Sequence, residues 1–355
     1  MSRCFVCYNL DMLDVLTIGT ATRDVFLRSP FFKVVRDPKH LRKIGFPTGE
    51  AQCFALGAKI QLEAPVFAVG GVAANSAVTF ARQGFRAGAL IGIGRDENGR
   101  AALAHLTKEG VKVFPVTSRS KMTGYSVILL SPDGERTILH HRGASQDIKA
   151  GLPRLRCRWA YIGPAGIPLG VMLKIVGRLE KNKVKIAMNP SSEYLKLGAK
   201  KLKPLLSKLD VIMVNREEAA YLTGMPYDNE RRIFRKFDEW VKGIAVMTEG
   251  EKGVLVSDGK RIYRAGIFRE KKVADRTGAG DAFGSGFVSG LIRRQWSMVK
   301  GQRLSEEDIK YAIRLGSANA TSVVEQVGAQ AGILRRRQSE SPRWQNLPVK
   351  ITGLK

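Results

Sequence analysis

The stretch GGVAANSAVTFARQGFRAGALIGIGRDENG, residues 70–99, contains a complete change of hydrophobic period. Gly71 to Gln83 carries small residues at helical spacing, and the unbroken apolar run Ala87 to Ile93 then reads as a buried strand. The rhythm continues on both sides. Asn98 to Glu109 fits a helix and Val111 to Val116 a strand, while upstream Val15 to Gly19 fits a first buried strand. Downstream, strands are predicted at Trp159 to Ile162, Val184 to Met188, Val211 to Val214 and Ile244 to Met247, with helices between them. A hairpin at Gly253 to Arg264 turns at Asp258-Gly259, and helices are predicted over Gly278 to Arg294 and Ser305 to Glu325. Such alternation implies an α/β fold, with a mainly parallel central sheet and helices on both faces.

Two regions break the rhythm. Thr123 to Leu130 and Arg136 to His141 alternate strictly and flank the turn Ser131-Pro132-Asp133-Gly134, which predicts a hairpin with one wet face. Val25 to Pro65 mixes a basic segment (Pro38 to Lys43), turn signals at Pro47 and Gly49, and an alternating run over Phe54 to Leu62, read as surface strands. The organisation predicted is one domain over 12–334, with a small β lid drawn from about 26–66 and 120–142. Residues 1–11 read as an N-terminal tail and the basic segment 335–355 as a loosely packed C-terminal tail.

Composition narrows the function classes. The 355 residues are 44% hydrophobic and 26% charged, a globular balance. The cysteines are Cys4, Cys7, Cys53 and Cys157, too scattered for a disulfide framework, and the Cys4–Cys7 spacing has no second pair to complete a zinc site. No apolar run reaches membrane-spanning length, and Asp11 and Asp14 interrupt any signal-peptide pattern, so a cytoplasmic protein without a membrane partner is expected. The net charge of +27 attracts anions. Its basic residues are nevertheless spread along the chain, and clusters such as Lys200-Lys201 and Arg335-Arg336-Arg337 are short. With no nucleic-acid motif beside them, a nucleic-acid partner is not expected.

Four short runs carry the candidate chemistry. In Arg276-Thr277-Gly278-Ala279-Gly280-Asp281, two glycines precede a helix whose first amides and positive dipole end suit a phosphate. Asp281 falls in the first turn, where the dipole favours the ionised form. A carboxylate beside an anion cradle suits phosphoryl transfer to an alcohol, whereas a glycine-rich loop with Asp as a cap is the purely structural reading. Gly70 and Gly71 open a helix bearing Asn75, which can donate to and accept from a polyhydroxy ligand or simply pack. Asn215-Arg216-Glu217-Glu218 follows a predicted strand, at the end where open α/β sheets bind ligands, and equally fits a helix cap. Thr248 to Gly253 combines a hydroxyl with two glycines after the next strand, as a ligand loop or a plain turn would.

Together these runs, in this order over roughly residues 14 to 333, resemble the PfkB, or ribokinase-like, family of carbohydrate and nucleoside kinases. The glycine pair with Asn75, followed by Gly92-Ile93-Gly94-Arg95-Asp96-Glu97-Asn98-Gly99, is similar to that family's N-terminal signature. The resemblance implies ATP-dependent phosphorylation of a sugar or nucleoside hydroxyl, with Asp281 as base and the Gly278, Ala279 and Gly280 amides as anion hole. It implies substrate contacts from Asp24, Gly70, Gly71 and Asn75, and nucleotide contacts from Asn215, Glu218, Thr248, Gly250 and Gly253. Magnesium would be organised indirectly through Glu218, and potassium held near Asp275 and Gly328. A homodimer through the lid is a further implication. Arg276 departs from the pattern, standing where a small or β-branched residue is expected. The long Asp24–Gly70 interval implies an enlarged lid. Arg142 reads either as a solvated strand end or as a cation facing a carboxylate or phosphate of the substrate.

Other classes fit less well. Gly92-Ile93-Gly94 lacks the third glycine of a dinucleotide loop, since Glu97 stands there, and no Walker A run occurs. A non-catalytic ribokinase-like binding protein, associated with nucleic acid, is the alternative; it would have no chemical need for Asp281 and its glycines.

Overall fold

Leu13–Thr20 (β1) is buried along its whole length, the condition of a strand covered on both faces in a parallel sheet. The computed structural model describes residues 12–46, 49–131, 136–149, 156–164, 166–296 and 304–354. The early strands are β2 (Thr22–Arg28), β3 (Lys33–Arg36), β4 (Glu50–Cys53), β5 (Val66–Gly70), β6 (Ala87–Gly94) and β7 (Lys112–Ser118). They are followed by β8 (Gly124–Leu130), β9 (Arg136–His141), β10 (Cys157–Ile162), β11 (Lys185–Met188) and β12 (Val211–Asn215). The last are β13 (Ile244–Thr248), β14 (Val254–Ser257), β15 (Arg261–Ala265) and β16 (Val349–Gly353).

Among the described residues, ten strands form the central sheet in the order β16-β15-β14-β13-β12-β11-β10-β1-β6-β7. From β13 to β7 every pairing is parallel, and β14 to β16 extend one edge antiparallel. One face is covered by helices that contribute Met172, Leu202, Ile233 and Phe237. The other is covered by helices that contribute Phe80, Phe283, Phe287 and Ile313. The expected α/β layering is observed, with boundaries moved by one or two residues.

The lid is a separate four-stranded sheet, β5-β2-β8-β9. It leaves the main sheet immediately after β1 and returns through Gly70 into the helix Val72–Arg82, so it stands over the carboxyl ends of the parallel strands. β8 alternates buried and half-buried positions, as its sequence predicts. The expected Phe54 to Leu62 strand is absent; that stretch is irregular, and β5 begins only at Val66. Its alternation lacks a partner strand, whereas β5 pairs with β2 over five residues. Within the long Asp24–Gly70 interval, β3 and β4 pair with each other as a separate two-stranded sheet, joined in part by the short helix Pro38–Leu41, which Asp37 caps. The Pro132–Gly134 part of the predicted turn, Met1 to Asp11 with Cys4 and Cys7, and Lys355 lie outside the described residues.

The C-terminal segment corrects the sequence reading. Beyond residue 335 the chain does not trail loosely; β16 pairs with β15 over five residues, and Trp344 is 4% exposed. Arg335, Arg336 and Arg337 face solvent, so composition suggested a tail, while Trp344 meets Phe268 edge-to-face at 5.1 Å. Trp344→Ala is therefore expected to cost about 3–5 kcal/mol of stability, measured by urea unfolding. A change below about 1 kcal/mol would show that this segment is dispensable.

Candidate active site

The loop Asp275–Gly278 leads into the helix Ala279–Trp296. Gly278 adopts φ +79°, and a Cβ there would lie 2.4 Å from the Cβ of Ala329, so both conformation and packing demand glycine. Asp275, fully buried, fixes the loop. Its Oδ1 accepts from the amide and hydroxyl of Thr277 at 2.9 and 2.6 Å, and its Oδ2 accepts from the Gly328 amide at 3.0 Å. Asp275 and Gly328, the two positions that the resemblance associates with potassium, are thus in direct contact.

Asp281 lies in the first helical turn and accepts at Oδ2 from Asn75 Nδ2 at 2.9 Å. Asn75 Oδ1 in turn accepts from Gln330 Nε2 at 2.9 Å, and Gln330 Oε1 lies 2.7 Å from His105 Nε2. Burial pushes the Asp281 carboxyl up to about 6; the Asn75 hydrogen bond opposes this and the Asp24 charge adds to it. Here desolvation outweighs the helix dipole that sequence reasoning relied on. Asp24 is itself raised, first by burial, although the Thr22 and Ser126 hydroxyls hydrogen-bond to it. A Cβ on Gly70 would fall 1.8 Å from Asp24 Oδ2, so the absence of a side chain at Gly70 makes room for that carboxylate. Gly71, at φ +94°, precedes the helix that carries Asn75. Asp24, Gly70, Gly71, Asn75 and Asp281 are therefore assembled at one place, between lid and main sheet.

A second group gathers around an adjoining cleft of about 380 Å³, lined by Asn215, Thr248, Gly250, Gly253, Ala279 and Gly280 among others. Asn215 and Glu218 form a reciprocal capping box: Asn215 Oδ1 accepts from the Glu218 amide at 2.8 Å, and the Asn215 amide donates to Glu218 Oε2 at 2.9 Å. Asn215 reaches the cleft, while Glu218, its carboxyl raised by burial, stands behind it as the cap. Arg216 pairs with Glu249 at 2.5 Å, tying the Asn215 and Thr248 loops together.

Several lining groups carry no motif. Ile267, Phe283, Ala320 and Val324 give the cleft an apolar wall. They come from two helices and a loop far apart in sequence, and only tertiary packing brings them together. Gln330, which orients Asn75, is likewise silent in the sequence. Arg276, the residue that departs from pattern, pairs with Glu251 at the cleft. Arg136 reaches the same cleft from the lid, with its Nε buried and unpartnered among the described residues. Arg142, just past the end of β9, forms a partly exposed ion pair with Glu193.

Comparison with known proteins agrees with this geometry. Residues 49–336 match the model of the pfkB family of carbohydrate kinases. A cytidine kinase from Thermococcus kodakarensis is 30% identical over 268 residues, 73% of this chain and 88% of that one. A ribokinase from Haemophilus influenzae is 29% identical over 287 residues, 77% of this chain and 86% of its own length. Arabidopsis thaliana ribokinase, solved with ribose and ATP, superposes with a TM-score of 0.70 at 20% identity, over 94% of this chain and 99% of that one, a likeness of fold.

Proposed function

This chain belongs to the pfkB family of carbohydrate kinases, phosphotransferases that use an alcohol group as acceptor, and we propose that Asp281 is the base of its ATP-dependent transfer to a sugar or nucleoside hydroxyl. The observation that carries this reading is the convergence of Asp281, Asn75 and Asp24 beside the Gly278–Gly280 helix start. Asp24 and Asn75 hold the acceptor, aided by the close approach allowed at Gly70 and Gly71. Asp281 takes the hydroxyl proton, while the amides of Gly278, Ala279 and Gly280 stabilise charge on the transferring phosphoryl. ATP lies in the cleft of Asn215, Thr248, Gly250 and Gly253, its base against the apolar wall. The Arg136 Nε, buried and without a partner among the described residues, is a ready donor to its phosphates.

Glu218, whose carboxylate accepts from the Asn215 amide as a helix cap, would act on magnesium only indirectly, and the ion would supply charge that neutralises the phosphates. Asp275, a fully buried carboxylate that accepts from Thr277 and from the Gly328 amide, is the group that would hold potassium, and an ion there would stiffen the anion hole. The lid's outer face presents Phe67 and Leu139, 57% and 56% exposed on register-aligned strands, which suits a homodimer through the lid. Sedimentation at rising concentration tests it. No described helix is long and apolar enough to cross a membrane, and the free thiols Cys53 and Cys157 suit a reducing cytoplasm.

An ATP-consumption screen over ribose, fructose, 2-keto-3-deoxygluconate, adenosine and other nucleosides tests the reading as a whole; no turnover with any acceptor refutes it. With an active acceptor, the pH profile supplies a second check. A base must be ionised, so kcat/KM should fall about tenfold per pH unit on the acid side of a midpoint near 6, the value to which burial pushes Asp281. A profile flat down to about pH 4.5 would place the ionisation elsewhere.

A further inference from the structure

We propose that the acceptor is a nucleoside rather than a free sugar, its ribose held by Asp24 and Asn75 and its base edge read by the Arg142–Glu193 ion pair beside His140. This rests on the kinase reading above and deepens it.

Across the lid, Ala68, Asp24, Ser126 and His140 are aligned partners, so their side chains share one face. That face is the one toward the site, because Asp24 points to Gly70 and its charge acts on Asp281. Asp24 and His140 are two strands apart, about 10 Å. The main sheet repeats this separation. The lid that carries Asp24 rises from the end of β1, and Glu193 opens the short helix after β11, two strands away through β10. Arg142, just past β9, spans from lid to floor by pairing with Glu193. His140 belongs to this cluster, since burial and then the Arg142 charge hold its imidazole below the usual value while Glu193 opposes them. Beside it on the same face, Phe26 and Ile128 are buried but Ile138 is 45% exposed, an uncovered apolar surface one row from His140.

The site therefore has two polar stations about 10 Å apart, with the reacting end fixed at Asp281. A pentose or hexose ring is only about three bond lengths across and reaches one station. A nucleoside reaches both. The chemistry of the distal station agrees. Arg142 can only donate and Glu193 only accept, so together they match an edge presenting an acceptor next to a donor, as nucleobases do. A sugar acid or sugar phosphate is disfavoured there, because Glu193 already neutralises Arg142 and would repel a second anion. A neutral His140 and the exposed Ile138 suit the flat, weakly polar body of a base.

Two measurements test the proposal. The first compares steady-state ATP consumption with cytidine, adenosine, ribose and fructose for the wild type and Glu193→Ala. The nucleosides are expected to show KM values roughly tenfold or more below ribose, and Glu193→Ala to raise nucleoside KM by roughly tenfold more than it raises any sugar KM. Ribose or fructose used at a KM equal to or below the nucleosides' overturns the proposal while leaving the kinase reading intact, as does a nucleoside KM unmoved in Glu193→Ala. The second measurement is calorimetric titration of cytidine and adenosine into Asp281→Asn, which needs no turnover. Saturable heat from either supports the proposal and none from both overturns it, whereas failure of every acceptor to consume ATP refutes the kinase reading itself.

Discussion

Asp281→Asn is expected to remain folded, to bind ATP, and to lose phosphoryl transfer by about 10²–10⁴-fold in kcat. The amide keeps the shape of the carboxylate, and its oxygen can still accept from Asn75 Nδ2, the contact that positions Asp281 at 2.9 Å. What disappears is the ability to take a proton. The same variant should be more stable than the wild type. The Asp281 carboxyl is raised from the ordinary 3.8 to about 6 by burial, so the folded state holds its proton more tightly than the unfolded chain does. Stability from that proton is present below the unfolded pKa and is lost as pH rises through about 6, leaving the ionised carboxylate as a cost at neutrality. Asn carries no such cost, so Asp281→Asn should gain roughly 1–3 kcal/mol near pH 8, with the gain shrinking toward pH 4. Single-turnover kinetics and urea unfolding across pH measure the two halves separately. Near-normal turnover in the folded variant removes Asp281 as the base; a loss of stability at pH 8 means the carboxylate is not paying a desolvation cost there.

The fold was legible wherever sequence period and neighbours agreed. The run from Gly70 to Val116 announced its helices and strands because each segment is covered on the side its pattern predicts. Phe54 to Leu62 misled because alternation alone does not supply a partner strand, and Val66–Gly70 took the place beside β2 instead. The C-terminal segment misled in the opposite direction: three consecutive exposed arginines hid the burial of Trp344 and the pairing of Val349–Gly353. In the site, residues that serve through backbone geometry or a local cap were visible, as with Gly278 and the Asn215–Glu218 box. Residues that serve through distant packing were not. Gln330 reaches Asn75 across 255 positions, and Glu193 reaches Arg142, a residue the sequence did single out, across 51, contacts that no local pattern encodes.

The two glycines of the proposed anion hole, Gly278 and Gly280, should fail for different reasons when each is replaced by alanine. At Gly280 an added Cβ meets no protein atom within 4 Å, and the residue lies within the first turn of the helix Ala279–Trp296. Alanine is the better helix former, so Gly280→Ala should keep or gain about 0.5–1 kcal/mol of stability. Yet Gly280 lines the cleft with Ala279, and a methyl group there would hold a phosphoryl group away from the amides proposed to receive it. A lost donor to developing charge costs about 10²–10³-fold in kcat, and Gly280→Ala should lose that much with its fold intact. Gly278→Ala should lose both properties, because φ is +79° and the new Cβ would sit 2.4 Å from that of Ala329. Strain and overpacking of that kind cost about 1–3 kcal/mol each. Melting curves read beside kcat separate the cases: a stable, slow Gly280→Ala places the phosphoryl at the loop, and a stable Gly280→Ala with wild-type kcat would move it away from the glycines altogether.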